Sequence, residues 1–141
     1  MEYKQLNMED AHFLKDLARN FKGTRIDKYT AECFIENPDN YLIGCIDDNK
    51  VVGFALCYRL QRYDGRGDMM YVHEVEVKEA YRRKGTGKLL LDYIKLICVE
   101  NDFSKMFVIT NKSNTPAMYL YEKIGAVAMH NDDIVFVYNF D

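Results

Sequence analysis

Apolar residues in the first part of the chain recur at the spacing of an α-helix. After a short strand-like stretch at residues 3–6, they occur at Ala11, Leu14, Leu17, Ala18 and Phe21. Because this spacing puts them on one face, it predicts a helix that packs against a core. Asn7, followed three residues later by Asp10, is a suitable N-cap, and Gly23 ends the helix. A weaker helical pattern covers residues 27–36 and ends before an Asn-Pro-Asp-Asn stretch.

The middle of the chain has the pattern of β-strands. Two apolar runs, residues 41–46 and 51–60, are joined by the polar turn Asp47-Asp48-Asn49-Lys50, which predicts a β-hairpin. A polar loop at residues 62–68 then leads to a third apolar run at residues 69–77. We expect these strands to form an antiparallel meander.

The second half alternates between helices and strands. Gly85 and Gly87 open a helix with an apolar stripe, and residues 105–110 then predict a strand. The pair Thr115-Pro116 is typical of an N-cap followed by the first helical position. Residues 134–140 predict a last strand. Two helices, a meander and a β-α-β-α-β series predict an α/β or α+β fold in which helices cover a central sheet.

Length and charge narrow the classes of function. A chain of 141 residues is in the usual range for one domain, so we expect a single domain over residues 1–141. The net charge of −3, from 19 Lys and Arg against 22 Asp and Glu, argues against a nucleic-acid-binding protein. The N-terminus has no signal-peptide pattern, and no stretch approaches the roughly 20 apolar residues that span a bilayer. We therefore expect a cytoplasmic protein without a membrane partner.

Cysteine and histidine residues do not suggest a metal site. The cysteines form no Cys-x-x-Cys pair, and we expect all four to be buried, reduced thiols: Cys33, Cys45, Cys57 and Cys98. His12 and His130 lack the spacing of metal ligands, so no metal is predicted.

The most specific feature is the segment Arg82-Arg83-Lys84-Gly85-Thr86-Gly87-Lys88, which lies between a predicted strand and a predicted helix. Glycines let the backbone turn tightly and direct several N–H groups toward one point, and a helix N-terminus adds partial positive charge. With Lys78, the segment places five cations in a short stretch of an otherwise acidic chain. It is suited to a phosphate group, and the alternative is a glycine turn with solvated basic side chains.

Two common phosphate-binding motifs do not fit this segment. A P-loop would need glycine at the position of Arg82 and Ser or Thr at the position of Leu89. A dinucleotide fingerprint would need glycine at the position of Leu90. The pattern that fits is Arg82-x-x-Gly85-x-Gly87.

This pattern resembles the loop with which N-acetyltransferases of the GNAT superfamily bind the pyrophosphate of coenzyme A. The segment from Asn114 to Gly125 resembles their second motif, N-x-x-A-x-x-x-Y-E-K-x-G, except that Ala126 follows where Phe is most frequent. The resemblance implies a mixed, mostly antiparallel central sheet of about six to seven strands flanked by about four helices. It also implies acetyl-CoA as co-substrate and a homodimer.

A narrower resemblance points to the type I aminoglycoside 3-N-acetyltransferases and their uncharacterised relatives. It rests on the run at residues 71–77 before Tyr81-Arg82-Arg83-Lys84-Gly85, on Pro116-Ala117 and on Tyr58-Arg59-Leu60. It implies transfer of an acetyl group, by direct attack, to a primary amine of a small molecule such as an aminoglycoside or a polyamine. The alternatives are a protein or peptide N-acetyltransferase and a sensor module that binds coenzyme A without catalysis.

The resemblance also implies which residues bind the coenzyme. They are the glycine-loop residues Arg82, Arg83, Lys84, Gly85, Thr86, Gly87 and Lys88. Backbone groups of the preceding strand, at Val75 and Val77, would face the thioester. Asn114 would either hydrogen-bond the coenzyme or cap the last helix. Tyr121 would be the general acid that faces the coenzyme sulfur, and the alternative is a packing residue.

Removal of a proton from the amine calls for a base, and the candidates are two carboxylates in one strand. Glu74 and Glu76 interrupt an apolar run and point to the same face, because side chains alternate along a strand. The type I relatives carry an acidic residue at the position of Glu74, so Glu74 is favoured. The alternative is a pair that meets solvent or engages Lys or Arg. His73 is expected to point the other way, unless a strand bulge reverses its direction.

Overall fold

The computed structural model describes residues 1–140, which group into two compact units. The first unit runs from Met1 to Ile109, and the second begins at Thr110. The first unit contains the sheet and three α-helices, and the second contains one α-helix.

The first two helices begin and end where the sequence places them. Asn7 and Asp10 form a reciprocal capping box on a short 3-10 turn, which leads directly into α1 (Ala11–Lys22). Gly23 follows α1 in the left-handed conformation, with φ 67°, and its N–H donates to the carbonyl of Arg19. The helix α2 (Lys28–Glu36) is capped by the side chain of Asp27. These ends are local features, so a short stretch of sequence determines them.

Five strands of the first unit form one sheet in the order in which they occur along the chain. They are β1 (Glu2–Gln5), β2 (Asn40–Asp47), β3 (Lys50–Leu60), β4 (Met69–Val77) and β5 (Lys105–Val108). All neighbouring pairs are antiparallel except β4 and β5, which are parallel. In the predicted hairpin between β2 and β3, Asp48 and Asn49 have φ 48° and 60°, as a tight two-residue turn requires.

Helices cover the two faces of this sheet. Phe54 of β3 is buried in a cluster with α1 residues such as Leu14 and Leu17. The preceding residue is Gly53. A Cβ on Gly53 would point to the other face of the sheet, where it would lie 3.3 Å from the Thr86 methyl group. Thr86 is the first residue of α3 (Thr86–Glu100), which connects β4 to β5. Therefore α1 and α3 lie on opposite faces of the sheet.

One strand carries an irregularity that changes the direction of its side chains. Leu56 of β3 is opposite Glu74, whereas the next β3 residue, Cys57, is opposite Val72. His73 is thus an extra residue on β4, which makes a β-bulge. The bulge reverses the alternation at this point of β4, so Tyr71 and Glu74 both lie on the face that α1 covers.

The second unit contains α4 (Thr115–Lys123). Its N-cap is Asn114, whose side-chain oxygen accepts from the N–H of Ala117 at 3.2 Å, so the prediction of Thr115 as the cap was one residue late. The strand predicted at residues 134–140 is not formed, and Phe136 is 79% exposed. An apolar run becomes a strand only where its backbone pairs with a neighbour. The described sheet therefore has five strands instead of six or seven.

The cysteine prediction was right for three residues and wrong for one. Cys45, Cys57 and Cys98 are buried, and burial raises the pKa of the thiols of Cys57 and Cys98. Cys33 is exposed because it lies on the outer side of α2, whose only fully buried residue is Ala31. Among the described helices, none is both long and apolar enough to cross a bilayer.

Candidate functional site

The end of β4 has no strand partner along one edge within the described sheet. Strand β5 pairs with β4 only from Met69 to Val72, so the stretch from Glu74 to Val77 has a partner on the β3 side alone within the described sheet. A strand edge without a partner presents backbone N–H and C=O groups to which a ligand can hydrogen-bond. The open edge of β4 is the first component of the candidate site.

Val75 and Val77 present their backbone groups to this open edge. The N–H of Lys78 donates to Val52 of β3 at 2.9 Å, and the carbonyl oxygen of Glu76 lies 3.3 Å from where a Cβ on Gly53 would be. Residues 76 and 78 therefore direct their backbone groups toward β3. Because backbone direction alternates along a strand, Val75 and Val77 direct theirs the other way.

The glycine loop follows the open edge directly. A 3-10 turn at Glu79–Tyr81 leads from β4 into the loop, and Gly85 is the N-cap of α3. Two loop residues have left-handed backbone conformations: Arg83 with φ 61° and Gly85 with φ 82°. This conformation turns the chain so that the first N–H groups of α3, which have no partner within the helix, face outward at the end of β4.

Buried contacts hold the start of α3 in place. Thr86 is 2% exposed, and its hydroxyl donates to the carbonyl of Tyr81 at 3.1 Å. The Tyr81 hydroxyl in turn donates to the carboxylate of Asp47 at 2.7 Å, and this bond raises the pKa of Tyr81. These bonds connect the helix start to the turn between β2 and β3, so the glycine loop is anchored to the sheet.

Some basic side chains of the loop bond to neighbouring groups of the protein, and others have no carboxylate partner within residues 1–140. Arg82 folds back, and its Nε donates to the carbonyl of Val77 at 2.8 Å. Lys88 pairs with Asp92 one helical turn away, at 2.7 Å. Within residues 1–140, no carboxylate pairs with Arg83 or Lys84, and both side chains are exposed. Lys84 lies over the ring of Tyr81, 5.8 Å from its centroid.

The two strand carboxylates share one ammonium group. Lys22, in the last turn of α1, bonds with its Nζ to the Oε2 of Glu74 and, at 2.9 Å, to the Oε2 of Glu76. These bonds raise the pKa of Lys22, with Glu74 the larger cause. The prediction that both carboxylates point to one face is consistent with this arrangement. The alternative that they engage a basic residue also holds, because Lys22 bonds to both.

The bulge places His73 beside two tyrosines of the same face. Its Nδ1 lies 3.0 Å from the hydroxyl of Tyr71, and its ring centroid lies 6.0 Å from that of Tyr58. Burial, and secondly the charge of Glu74, raises the pKa of Tyr58. The exception stated for His73 therefore applies, because the bulge adds one residue between Val72 and Glu74 and reverses the direction of the His73 side chain.

The polar loop between β3 and β4 has its acidic groups neutralised. Asp64 pairs with Arg62 at 3.0 Å and with Arg66 at 3.5 Å, and the bond from Arg62 is the main cause of its lowered pKa. The loop is tightly packed at Gly67, where a Cβ would lie 2.3 Å from the carbonyl oxygen of Asp102. This loop therefore does not provide a set of free carboxylates.

Two predicted site residues belong to the second unit. Asn114 caps α4, as one of its two predicted roles requires. Tyr121 is a half-buried residue of α4, on the side of the helix that also carries Ala117 and Ile124. Its predicted role as an acid and the alternative of a packing residue are both compatible with this position.

The sequence matches a family model described as the acetyltransferase (GNAT) family over residues 10–126. This range includes both the glycine loop and α4.

The chain belongs to the acetyltransferase (GNAT) family. The resemblance to this family that the two motifs suggested is therefore confirmed. Members of the family use acetyl-CoA.

Relatives of this GNAT chain act on chemically different acceptors, according to their names. The L-ornithine N5-acetyltransferase NATA1 of Arabidopsis thaliana is 29% identical over 103 residues, which are 72% of this chain and 45% of that protein. The catalytic subunit NAA20 of the N-terminal acetyltransferase B complex, also of Arabidopsis thaliana, is 32% identical over 95 residues, 64% of this chain and 51% of that protein. The chain thus spans about half the length of these curated relatives.

A solved structure has the same fold over nearly the whole chain. It is an aminoglycoside acetyltransferase from an uncultured soil metagenomic sample, in complex with trehalose, with a TM-score of 0.89 and 21% identity. The alignment covers 99% of this chain and 96% of that one. The predicted fold class, a mixed sheet with flanking helices, is confirmed, with the strand count corrected above.

Sequence reasoning missed three residues of the site region. Lys22, Tyr58 and Tyr71 contact or flank Glu74, but they lie in other elements or across the bulge. The sequence shows Lys22 only as a basic residue near the end of a predicted helix. Such a residue ordinarily interacts with the carbonyl groups at the helix C-terminus. Nothing in the sequence alone places it over β4.

Proposed function

We propose that this GNAT chain is an acetyl-CoA-dependent N-acetyltransferase that acts on a primary amine of a small molecule. One observation carries the proposal: the N-terminus of α3, opened by a left-handed Gly85, lies at the end of a strand whose last residues have an uncovered edge. We further propose that residues 1–141 act as one domain in the cytoplasm, as a homodimer. These proposals go further than family membership, because they concern what this particular chain does.

The residues at the end of β4 fit a coenzyme with a pyrophosphate. The first N–H groups of α3, at Thr86, Gly87 and Lys88, donate to phosphate oxygens at the positive end of the helix dipole. Arg83 and Lys84 add charge without first breaking an ion pair. Arg82 shapes the loop through its bond to Val77. Along the open edge, the backbone groups of Val75 and the N–H of Val77 bind the pantetheine amides, and an N–H group among them polarises the thioester carbonyl.

Proton transfer is assigned to two side chains. Acetyl-CoA supplies the acetyl group as a thioester: an N–C bond to the amine forms, the C–S bond breaks and the coenzyme leaves as a thiol. Glu74 accepts the proton of the acceptor ammonium, which releases the nitrogen lone pair. Tyr121 delivers one proton to the departing sulfur and is restored by the second proton, which leaves the nitrogen as the amide forms. Glu74 releases the first proton to solvent, so one proton is set free in each turnover.

The acceptor class follows from charge. The acidic pair formed by Glu74 and Glu76 shares the single ammonium group of Lys22, so the three side chains keep one net negative charge, which favours a cationic amine over a neutral or acidic acceptor. The names of an ornithine acetyltransferase and of an aminoglycoside acetyltransferase among the similar proteins support a small amine. The name of a protein N-terminal acetyltransferase among the relatives keeps a peptide terminus as the second candidate.

A free-thiol assay tests the proposal directly. The protein is incubated with acetyl-CoA and a panel of amines, namely an aminoglycoside, spermidine, ornithine and a peptide with a free N-terminus, and coenzyme A release is followed over time. We expect turnover with at least one small amine above the rate without acceptor. Turnover with the peptide alone would move the assignment to the second candidate. Binding of acetyl-CoA without turnover of any amine would favour a sensor.

Replacement of Tyr121 tests the proposed acid. We expect Tyr121→Phe to lower kcat at least about tenfold, equivalent to about 1.4 kcal/mol of the barrier, with unchanged acetyl-CoA affinity. The effect is moderate because a thiolate is a stable leaving group near neutral pH. Tyr119→Phe is the matched control, since Tyr119 lies on the same helix and is 67% exposed. If both variants keep kcat within about threefold of wild type, Tyr121 is a packing residue.

A further inference from the structure

Among residues 1–140, Lys22 is the one cation that forms an ion pair with Glu74 and Glu76, and it comes from a distant part of the chain. It lies in the last turn of α1, and its Nζ bonds to both Glu74 and Glu76 of β4. The side chain is 40% exposed, Glu74 is 23% exposed and Glu76 is 42% exposed. A fully solvated surface pair would contribute little, but here one ammonium group bridges two carboxylates, one of which is mostly buried.

Aromatic packing fixes the direction of the Lys22 side chain. Its Nζ lies 5.9 Å from the ring centroid of Phe54, which is buried, and Phe54 packs edge-to-face with Phe21 at 5.1 Å. Cation–π attraction favours an ammonium group over such a ring. The Nζ of Lys78 lies over the ring of Phe21, at 5.8 Å, so a second cation occupies the neighbouring position. Lys22 therefore has a defined place in the fold.

We propose that Lys22 is a positioning residue that keeps the Glu74 carboxylate ionised and fixed in place on the face of β4 that α1 covers. The inference rests on the proposed function, in which Glu74 accepts the proton of the acceptor amine. Without a cation between them, two carboxylates two positions apart on one strand face would repel each other, and one would take up a proton as the pH falls. A protonated Glu74 cannot serve as the base.

Other titratable groups around Glu74 come from three elements. The strand β4 contributes Glu76, Tyr71 and the bulged His73, β3 contributes Tyr58, and the loop after β4 contributes Lys78. Lys22 is the cation that bonds directly to both carboxylates.

The test compares four proteins: wild type, Lys22→Met, Lys22→Arg and Lys15→Met. Lys15 is the matched control because it is an exposed lysine of the same helix. In Lys22→Met we expect the acid limb of the kcat/KM profile to move about one unit toward higher pH. Lys22→Arg is expected to restore the wild-type limb, and Lys15→Met to leave it unchanged. Acetyl-CoA should stabilise all four proteins equally, since the glycine loop is intact.

A second measurement needs neither coenzyme nor acceptor. Carbon NMR of the glutamate carboxyl groups, assigned with Glu74→Gln, follows their titration in the coenzyme-free protein. We expect one carboxyl group of the pair to titrate at higher pH in Lys22→Met than in wild type. Lys22→Gln serves the same comparison if the methionine variant does not fold.

The outcomes separate this inference from the proposed function. A shifted carboxyl titration in a protein that acetylates no amine would support the role of Lys22 and reject the function. Unchanged titration and unchanged pH profiles in Lys22→Met would reject the role of Lys22 and leave the function intact. A Lys22→Met variant with raised kcat/KM at every pH would show that Lys22 obstructs the acceptor site, which also overturns the proposal.

Discussion

Replacing Gly85 by valine is expected to abolish the stabilisation of the protein by acetyl-CoA. Gly85 has φ 82°, a conformation that a β-branched residue avoids, although no atom lies within 4 Å of the position of its Cβ. Valine would therefore change the backbone rather than create a collision. The first N–H groups of α3 would turn away from the end of β4, and the pyrophosphate would lose its donors.

The measurement is the melting temperature with and without acetyl-CoA. At 100 times the dissociation constant, wild type should gain about 2.7 kcal/mol of stability, which raises the melting temperature of a chain of this size by several degrees. Gly85→Val should show no such gain. A bound coenzyme in the variant, with wild-type affinity, would remove the glycine loop from the proposed site.

Gly65→Val is the matched control for backbone strain. Gly65 has φ 80° and, like Gly85, no atom within 4 Å of its Cβ position. Both variants should therefore lower the basal melting temperature by similar amounts, because each forces a β-branched residue into a left-handed conformation. Gly65 lies in the loop before β4, at the strand end away from the glycine loop. The control should keep the full gain from acetyl-CoA.

The second large effect is expected for Glu74→Gln, which should lower kcat/KM roughly 100-fold near neutral pH, the lower range of general-base contributions. Glutamine keeps the shape of the side chain and an oxygen for Lys22, so the fold should be retained. Less than about one in a thousand molecules of an alkylamine is unprotonated at pH 7. Raising the pH should restore part of the rate, because the free amine then forms without help.

Glu76→Gln is the matched control for this prediction. Glu76 lies on the same strand face, bonds to the same ammonium group and is more exposed than Glu74. Its replacement should therefore change the pH–rate profile less than that of Glu74. A Glu74→Gln enzyme whose profile equals that of wild type would indicate that solvent deprotonates the acceptor. Equal losses in both variants would indicate that the two carboxylates act as one unit.

Local features of the fold were predictable from the sequence because neighbouring residues determine them. The capping box of Asn7 and Asp10 and the left-handed Gly23 delimit α1 within a single stretch of chain. The turn at Asp48 and Asn49 joins β2 to β3 without distant contacts. The glycine loop likewise depends on its own backbone, so its place between a strand and a helix followed from the order of residues.

The arrangement around Glu74 was decided only by the tertiary structure. Lys22 reaches Glu74 across 52 positions of sequence because α1 packs over the face of the sheet that carries Phe54. The bulge at His73 depends on the pairing of β4 with β3, which no pattern within β4 specifies. Residues 134–140 have the composition of a strand, yet composition does not provide a partner for their backbone.

The sequence by itself therefore determined the helix ends, the hairpin and the glycine loop, since each of these depends on the conformational preferences of a few consecutive residues. The tertiary structure decided where β5 stops along β4, which leaves Val75 and Val77 at an open edge. It also decided which cation meets the acidic pair. Both depend on how separate elements pack, and packing is a property of the whole chain.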